Sequence, residues 1–188
     1  MLSATKTAVR NTYGQSDTVT YIVSIVNSGT TPITGISVTD NLGEYTFGTT
    51  TLVPLTYIDG TVKYYVNGVL QPSAVVTAGP PLVVSGITVP AGGSVTVVYE
   101  AAVNEFAPLD TTSVINNTAI VAGTGITPIT AEEEITVEST PVLTITKSVS
   151  PVPVTENGTL TYTFLIQNSG NVAADASTGV VVTDVFDP

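Results

Sequence analysis

The chain predicts an all-β fold: an antiparallel β-sandwich module that occurs once in full and begins a second time. Three observations predict it. β-branched residues dominate, and no window of twelve residues carries a helical period. Turn residues (Gly, Pro, Asn, Asp) interrupt the apolar runs about every 8–12 residues, the spacing of short sandwich strands. Finally, the chain repeats itself. TVTYIVSIVNSG at Thr18–Gly29 returns as TLTYTFLIQNSG at Thr159–Gly170, an offset of 141 (159 − 18). The same offset carries Leu2, Thr5 and Lys6 onto Leu143, Thr146 and Lys147. Val38-Thr39-Asp40 returns as Val182-Thr183-Asp184 at an offset of 144 (184 − 40), the three extra residues falling in a loop at Ala174–Thr178. Internal repeats set the architecture. Residues 1–140 are therefore expected to form a complete module and residues 141–188 the opening of a second, incomplete one.

Taken in order, residues 2–8 alternate as a first strand that places Leu2, Ala4 and Lys6 on one face. Asn11–Asp17 reads as a turn. The second strand points Val19, Tyr21, Val23 and Ile25 one way and ends at Asn27-Ser28-Gly29, residues that tolerate left-handed backbone. The third strand lines up Ile36, Val38 and Asp40. Asp59-Gly60 and Asn67-Gly68 have the composition of two-residue hairpin turns, so residues 52–71 are expected to form a three-stranded meander. Leu82–Val89 and Ser94–Val103 are strands separated by the turn Pro90-Ala91-Gly92-Gly93. Ser113–Val121 and Ala131–Glu138 form a closing hairpin around Gly123-Thr124-Gly125, and residues 143–184 supply three strands of the second copy.

Composition narrows the function classes. The net charge is −11, with only Lys6, Arg10, Lys63 and Lys147 positive, a balance that repels nucleic-acid backbones and anionic membranes. No run of 18 apolar residues is long enough to span a bilayer. The chain has no Cys and no His, which removes disulfides, thiolate metal sites and the commonest general base. An enzyme is not expected, nor is a cofactor. The opening MLSATKTAVR lacks the apolar core of a secretory signal, and Asp187-Pro188 falls inside a module, so both ends read as cuts.

The elements Lys6, Tyr21, Asn27-Ser28-Gly29, Val38-Thr39-Asp40, Pro90-Ala91-Gly92 and Asn117-Thr118-Ala119 resemble the conserved-repeat family of bacterial surface proteins, the domain of unknown function eleven. The resemblance covers essentially all of residues 1–140; the second copy supplies Lys147, Tyr162, Asn168-Ser169-Gly170 and Val182-Thr183-Asp184. It departs from the family at Asp40-Asn41-Leu42-Gly43, where a Pro usually follows the Leu, a difference that bears on loop shape. The resemblance implies an immunoglobulin-like stalk module, in tandem with neighbouring repeats, in a secreted or wall-attached bacterial protein. It implies no ligand.

Surface modules of this shape also suggest an internal amide (isopeptide) cross-link between a Lys on the first strand and an Asn on the last, assisted by an acid. Lys6, Asn117 and Asp40 are the candidates, since each shares a face with apolar residues. Burial lowers a lysine pKa and raises that of a carboxylic acid, which is what such a reaction needs. Glu100, on the long strand with Val98, is the alternative acid, and Asn116 replaces Asn117 if the register slips by one. The competing reading has Lys6 snorkelling at the sandwich edge to pair with Asp40 while Asn117 caps a loop. Calcium is the one ion suggested by the acidic balance, but Glu132-Glu133-Glu134 lies on a strand whose alternation splits its side chains between faces. Tyr57, Tyr64 and Tyr65 are candidates for a protein- or sugar-binding platform, which would make the module an adhesin. The open edges of the second copy are expected to pair with another copy or with the first module.

Overall fold

The computed structural model describes residues 1–175, 177 and 179–185. The chain divides into two units, Met1–Glu138 and Ser139–Pro188.

The first unit carries β1 (Leu2–Ala8), β2 (Thr12–Tyr13), β3 (Thr18–Asn27), β4 (Ile33–Asp40), β5 (Tyr45–Phe47), β6 (Thr50–Leu52), β7 (Leu55–Tyr57), β8 (Lys63–Val66), β9 (Val69–Leu70), β10 (Val75–Thr77), β11 (Leu82–Val89), β12 (Ser94–Val103), β13 (Val114–Ala122) and β14 (Ile129–Val137). They form two sheets, with β5 and β6 as a separate small hairpin. One sheet runs β1-β3-β12-β8-β9, with β7 also on β12; the other runs β10-β11-β4-β13-β14-β2. Alternation decides which strands sit centrally. β3 turns Val19, Tyr21, Val23 and Ile25 inward, all fully buried, and β12 answers with Val95, Val97, Tyr99, Ala101 and Val103. From the other sheet come Ile36 and Val38 of β4, the buried apolar residues of β11, and Ile115, Ala119 and Val121 of β13. Each such side chain contributes about 1.5–3 kcal/mol when fully buried. Asp40 and Asn117 interrupt this second apolar face.

The structure departs from the sequence expectation in three places. Asn11–Asp17 is not simply a turn: β2 pairs with β14 in parallel, Thr12 opposite Thr136 and Tyr13 opposite Val137. Tyr13 is wholly buried and donates its hydroxyl to the Pro108 carbonyl at 2.6 Å. Its ring belongs to the core cluster of the unit. The meander over 52–71 is only half present. Asn67-Gly68 turns β8 into β9, both residues at positive φ, but Asp59-Gly60 makes no hairpin. Instead β7 and β8 lie end to end along the same strand: Leu55 pairs with Val103 and Tyr57 with Ala101, and further on Lys63 pairs with Val98 and Val66 with Val95. β12, with ten residues, is long enough to seat both.

In the second unit, β15 (Leu143–Ser150) pairs with β16 (Thr161–Asn168). Leu143 opposes Asn168 and Lys147 opposes Phe164, which is the register of Leu2 on Asn27 and Lys6 on Val23, carried forward by the repeat. The turns also match. The Asn27 amide donates to the Thr31 carbonyl and accepts from the Gly29 N–H; Asn168 does the same with Val172 and Gly170. The expected third strand is absent among the described residues: Val182-Thr183-Asp184 joins no ladder. Ala176 and Thr178, in the loop assigned to the three extra residues, lie outside the described residues.

Candidate functional site

The site lies between the sheets of the first unit, where their polar intrusions meet. β1 and β3 pair so that Lys6 stands opposite Val23, and the alternation of β1 directs its side chain inward. Lys6 Nζ donates to Asp40 Oδ2 at 2.6 Å, with side-chain exposures of 0% and 1%. Tyr21 and Tyr99 are directly opposed across β3 and β12, their rings stacked with centroids 5.6 Å apart. The ammonium lies 4.9 Å from the Tyr21 ring centroid and 6.0 Å from that of Tyr99, within cation–π range.

Asp40 ends β4. Its Oδ1 accepts the Leu42 N–H at 3.0 Å, and its Oδ2 accepts the Tyr99 hydroxyl as well as Lys6. The Tyr99 oxygen in turn accepts from Asn117 Nδ2 at 3.1 Å. Asn117 is fully buried on β13, two residues before Ala119, which pairs with Asp40. Its Oδ1 accepts the Gly43 N–H at 3.2 Å. The result is one connected chain of groups, Lys6–Asp40–Tyr99–Asn117–Gly43, that crosses from one sheet to the other without solvent. The Tyr21 hydroxyl is buried without a hydrogen-bond partner.

Burial sets the acidities. It pulls the Lys6 pKa down to about 8, while the charges of Asp40 and Glu133 push it back up. Burial, then the Asp40 charge, holds Tyr99 well above the ordinary tyrosine range. Tyr21 is raised by burial too, opposed by Asn117, which lies near its hydroxyl but not in hydrogen-bonding geometry. Both phenols therefore keep their protons at neutral pH.

The structure brings Lys6 and Asp40 into direct contact and links Asn117 to them through Tyr99. Asn117 lies on β13, the strand before the closing β14, rather than on the last strand of the module. Asn116 points outward, so the register places Asn117 in the site. Glu100 alternates away from the core, with Tyr99 inward in its place, and is not an acid of this site. Lys6 does not snorkel; it is 4% exposed. Tyr57, Tyr64 and Tyr65 do not form a common platform. Tyr57 is a core residue, Tyr64 packs half-buried against that core, and Tyr65, next along the strand, faces the opposite way. Among the described residues no three acidic side chains gather around a point that could hold a cation. Glu132 and Glu134 face solvent while Glu133 turns toward Lys6.

Sequence reasoning missed Tyr99 and Gly43. Tyr99 was visible as the one polar tip on the apolar face Val95-Val97-Tyr99-Ala101-Val103. Gly43 carried a fainter signal, since it stands where a proline, with no N–H to give, is usual in the resembling family.

The second unit holds a partial copy. Lys147 Nζ donates to Asp184 Oδ1 at 2.6 Å and lies 4.5 Å from the Tyr162 ring centroid. The two side chains are 38% and 22% exposed.

No family model matches the chain, and no curated protein matches it in sequence. Its fold is similar to solved structures. One is the pilus backbone protein RrgB of Streptococcus pneumoniae, 14% identical over 65% of this chain and 31% of that one, with a TM-score of 0.50. Another is the full-length major pilin SpaD of Corynebacterium diphtheriae, 16% identical over 85% of this chain and 40% of that one, with a TM-score of 0.54. At such identities the likeness shows the fold, an all-β immunoglobulin-like arrangement. The chain spans less than half the length of either protein.

Proposed function

We propose that the chain is a stalk segment of a bacterial cell-surface or secreted repeat protein, working beside neighbouring repeats, and that its complete module is braced by an amide bond between Lys6 and Asn117. The observation that carries this reading is the dry chain of groups linking Lys6 to Asn117 through Asp40 and Tyr99. A lysine this deeply buried is costly as a cation, and Asp40 is placed to take its proton. The neutral amine can then attack the Asn117 carbonyl, whose oxygen already faces the Gly43 N–H. One ammonia leaves, and the side chains are consumed in a single turnover, so the site has no substrate to bind and release. The likeness in fold to a pilus backbone protein and a major pilin, and the resemblance of the repeat motifs to bacterial surface modules, support the mechanical role and an extracellular location. No cation or cofactor enters the reaction.

Intact-mass measurement tests this. The folded protein should be lighter than its sequence by one ammonia, and Lys6→Ala and Asn117→Ala should each restore the full mass. A folded wild-type protein at full mass would show that the pair only makes an ion contact, and the bracing bond would be abandoned.

A further inference from the structure

We propose that Tyr99 is the proton relay of this site: its hydroxyl carries the proton from Asp40 to the departing nitrogen of Asn117. The inference rests on the amide-bond reading above and assigns chemistry to a residue that reading uses only as a link. Its basis is a gap in the contacts. The acid that accepts the lysine proton and the amide nitrogen that must gain one are not hydrogen-bonded to each other. Both are bonded to the Tyr99 oxygen, one as acceptor and one as donor.

The steps balance. The Lys6 ammonium passes one proton to Asp40 Oδ2, to which it is already bonded. The free amine pair of Nζ forms a bond to Asn117 Cγ, and the carbonyl π electrons move to Oδ1, which the Gly43 N–H holds. The tetrahedral carbon frees the Nδ2 lone pair, and both contacts of the Tyr99 oxygen reverse. The Tyr99 hydroxyl turns from Asp40 to Nδ2, and protonated Asp40 becomes the donor. Asp40 gives its proton to the Tyr99 oxygen as Tyr99 gives its own to Nδ2. The Cγ–Nδ2 bond then breaks, the bonding pair leaves with ammonia, and Oδ1 reforms the carbonyl. Nζ sheds its surplus proton to Asp40, which ends neutral. The charge is zero before and after, and the five exchangeable protons are shared among the amide, Asp40 and ammonia.

The neighbouring tyrosine is an internal control. Tyr21 stacks on Tyr99 in the same apolar setting, yet its hydroxyl is bonded neither to Asp40 nor, though it lies near, to Asn117. Packing alone makes the two hydroxyls equivalent; a relay makes only one of them matter.

The test follows intact mass over time in full-length protein from a timed cell-free synthesis. Tyr99→Phe should lose ammonia about a hundredfold more slowly than wild type, the scale of one general acid. Tyr21→Phe keeps the ring beside Lys6 and removes no hydroxyl bonded to Asp40, so it should slow ammonia loss about tenfold less than Tyr99→Phe does. A ring-fluorinated tyrosine at position 99 keeps shape and hydrogen bonds but changes acidity, so it should shift the rate where a packing role would not. If Tyr99→Phe reacts at the wild-type rate, or the fluorinated residue leaves the rate unchanged, the relay is wrong while the cross-link stands. If wild type never loses ammonia, the cross-link and the relay fall together.

Discussion

Lys6 and Lys147 occupy the same place in two copies of one pattern, with the same strand register, the same 2.6 Å contact to an aspartate and the same tyrosine beneath. Yet Lys6 and Asp40 are sealed from water while Lys147 and Asp184 are partly wet. Two strands and the segment that carries Asp184 are thus enough to bring the ion pair together. Its setting comes from later strands: β12 supplies Tyr99, β13 supplies Asn117, and the two sheets together exclude solvent. Contact is local in origin and burial is global.

Asn117 is where the two lysine sites differ most. Asn117→Ala should abolish ammonia loss outright, and wild type should lose one ammonia and never two, because Lys147 has no counterpart of Asn117 among the described residues; a second loss in the intact mass would erase the contrast. Next in size is the aspartate. Asp40→Ala leaves a buried lysine without its carboxyl and should cost about 3–5 kcal/mol in denaturant unfolding, whereas Asp184→Ala should cost under about 1 kcal/mol. Equal effects would mean that burial does not separate the two pairs. Gly43→Ala comes third. Gly43 has φ of 74°, and an added Cβ would stand 2.6 Å from Ile115 Cγ2. A loss of about 1–3 kcal/mol is expected, together with slower ammonia release as the N–H shifts away from Asn117.

The smallest effect is in pH. The folded Lys6 pKa, about 8, lies below its unfolded value of about 10.4, so between these limits the unfolded chain binds more protons and stability rises with pH. The favourable contribution is present above the unfolded pKa and is lost as pH falls through about 8. Tyr21 and Tyr99, raised when folded, begin to act in the opposite direction near pH 10. Uncross-linked Asn117→Ala should therefore gain up to ~1.4 kcal/mol per pH unit between about pH 8 and 9.5. Cross-linked wild type, whose Nζ no longer titrates, should show no such gain from Lys6. Identical profiles for the two proteins would contradict the bond.

The strands that alternate cleanly were legible in the sequence: β1, β3, β4, β11, β12, β13 and β14 lie where period-two patterns put them, with Lys6, Asp40 and Asn117 facing inward as their apolar neighbours require. What was not legible depends on partner choice. Asp59-Gly60 has hairpin composition, but a local turn signal cannot tell whether the next strand will fold back on its predecessor or continue along a third strand. Tyr57 reads as a platform residue in a sequence that does not show β7 joining β12 and turning this ring into the core. Glu100 and Tyr99 exchange roles with a single step of register, and the clean apolar alternation of β12 places Tyr99 inward, opposite Tyr21. Tyr13 was hidden inside a polar stretch too short to display a period.

Asn117 sits one strand short of the module's end, and this has a consequence under load. Tension applied across this unit would enter at β1 and leave through β14. With Lys6 joined to Asn117, force would pass straight from one to the other, and every strand between them would be shielded from stretching. The tail beyond Asn117 would lie outside that shortcut. It could peel away and zip back, releasing roughly 70 Å at about 3.4 Å per residue, so the module would behave as a rigid link with a short, self-resetting shock absorber at one end.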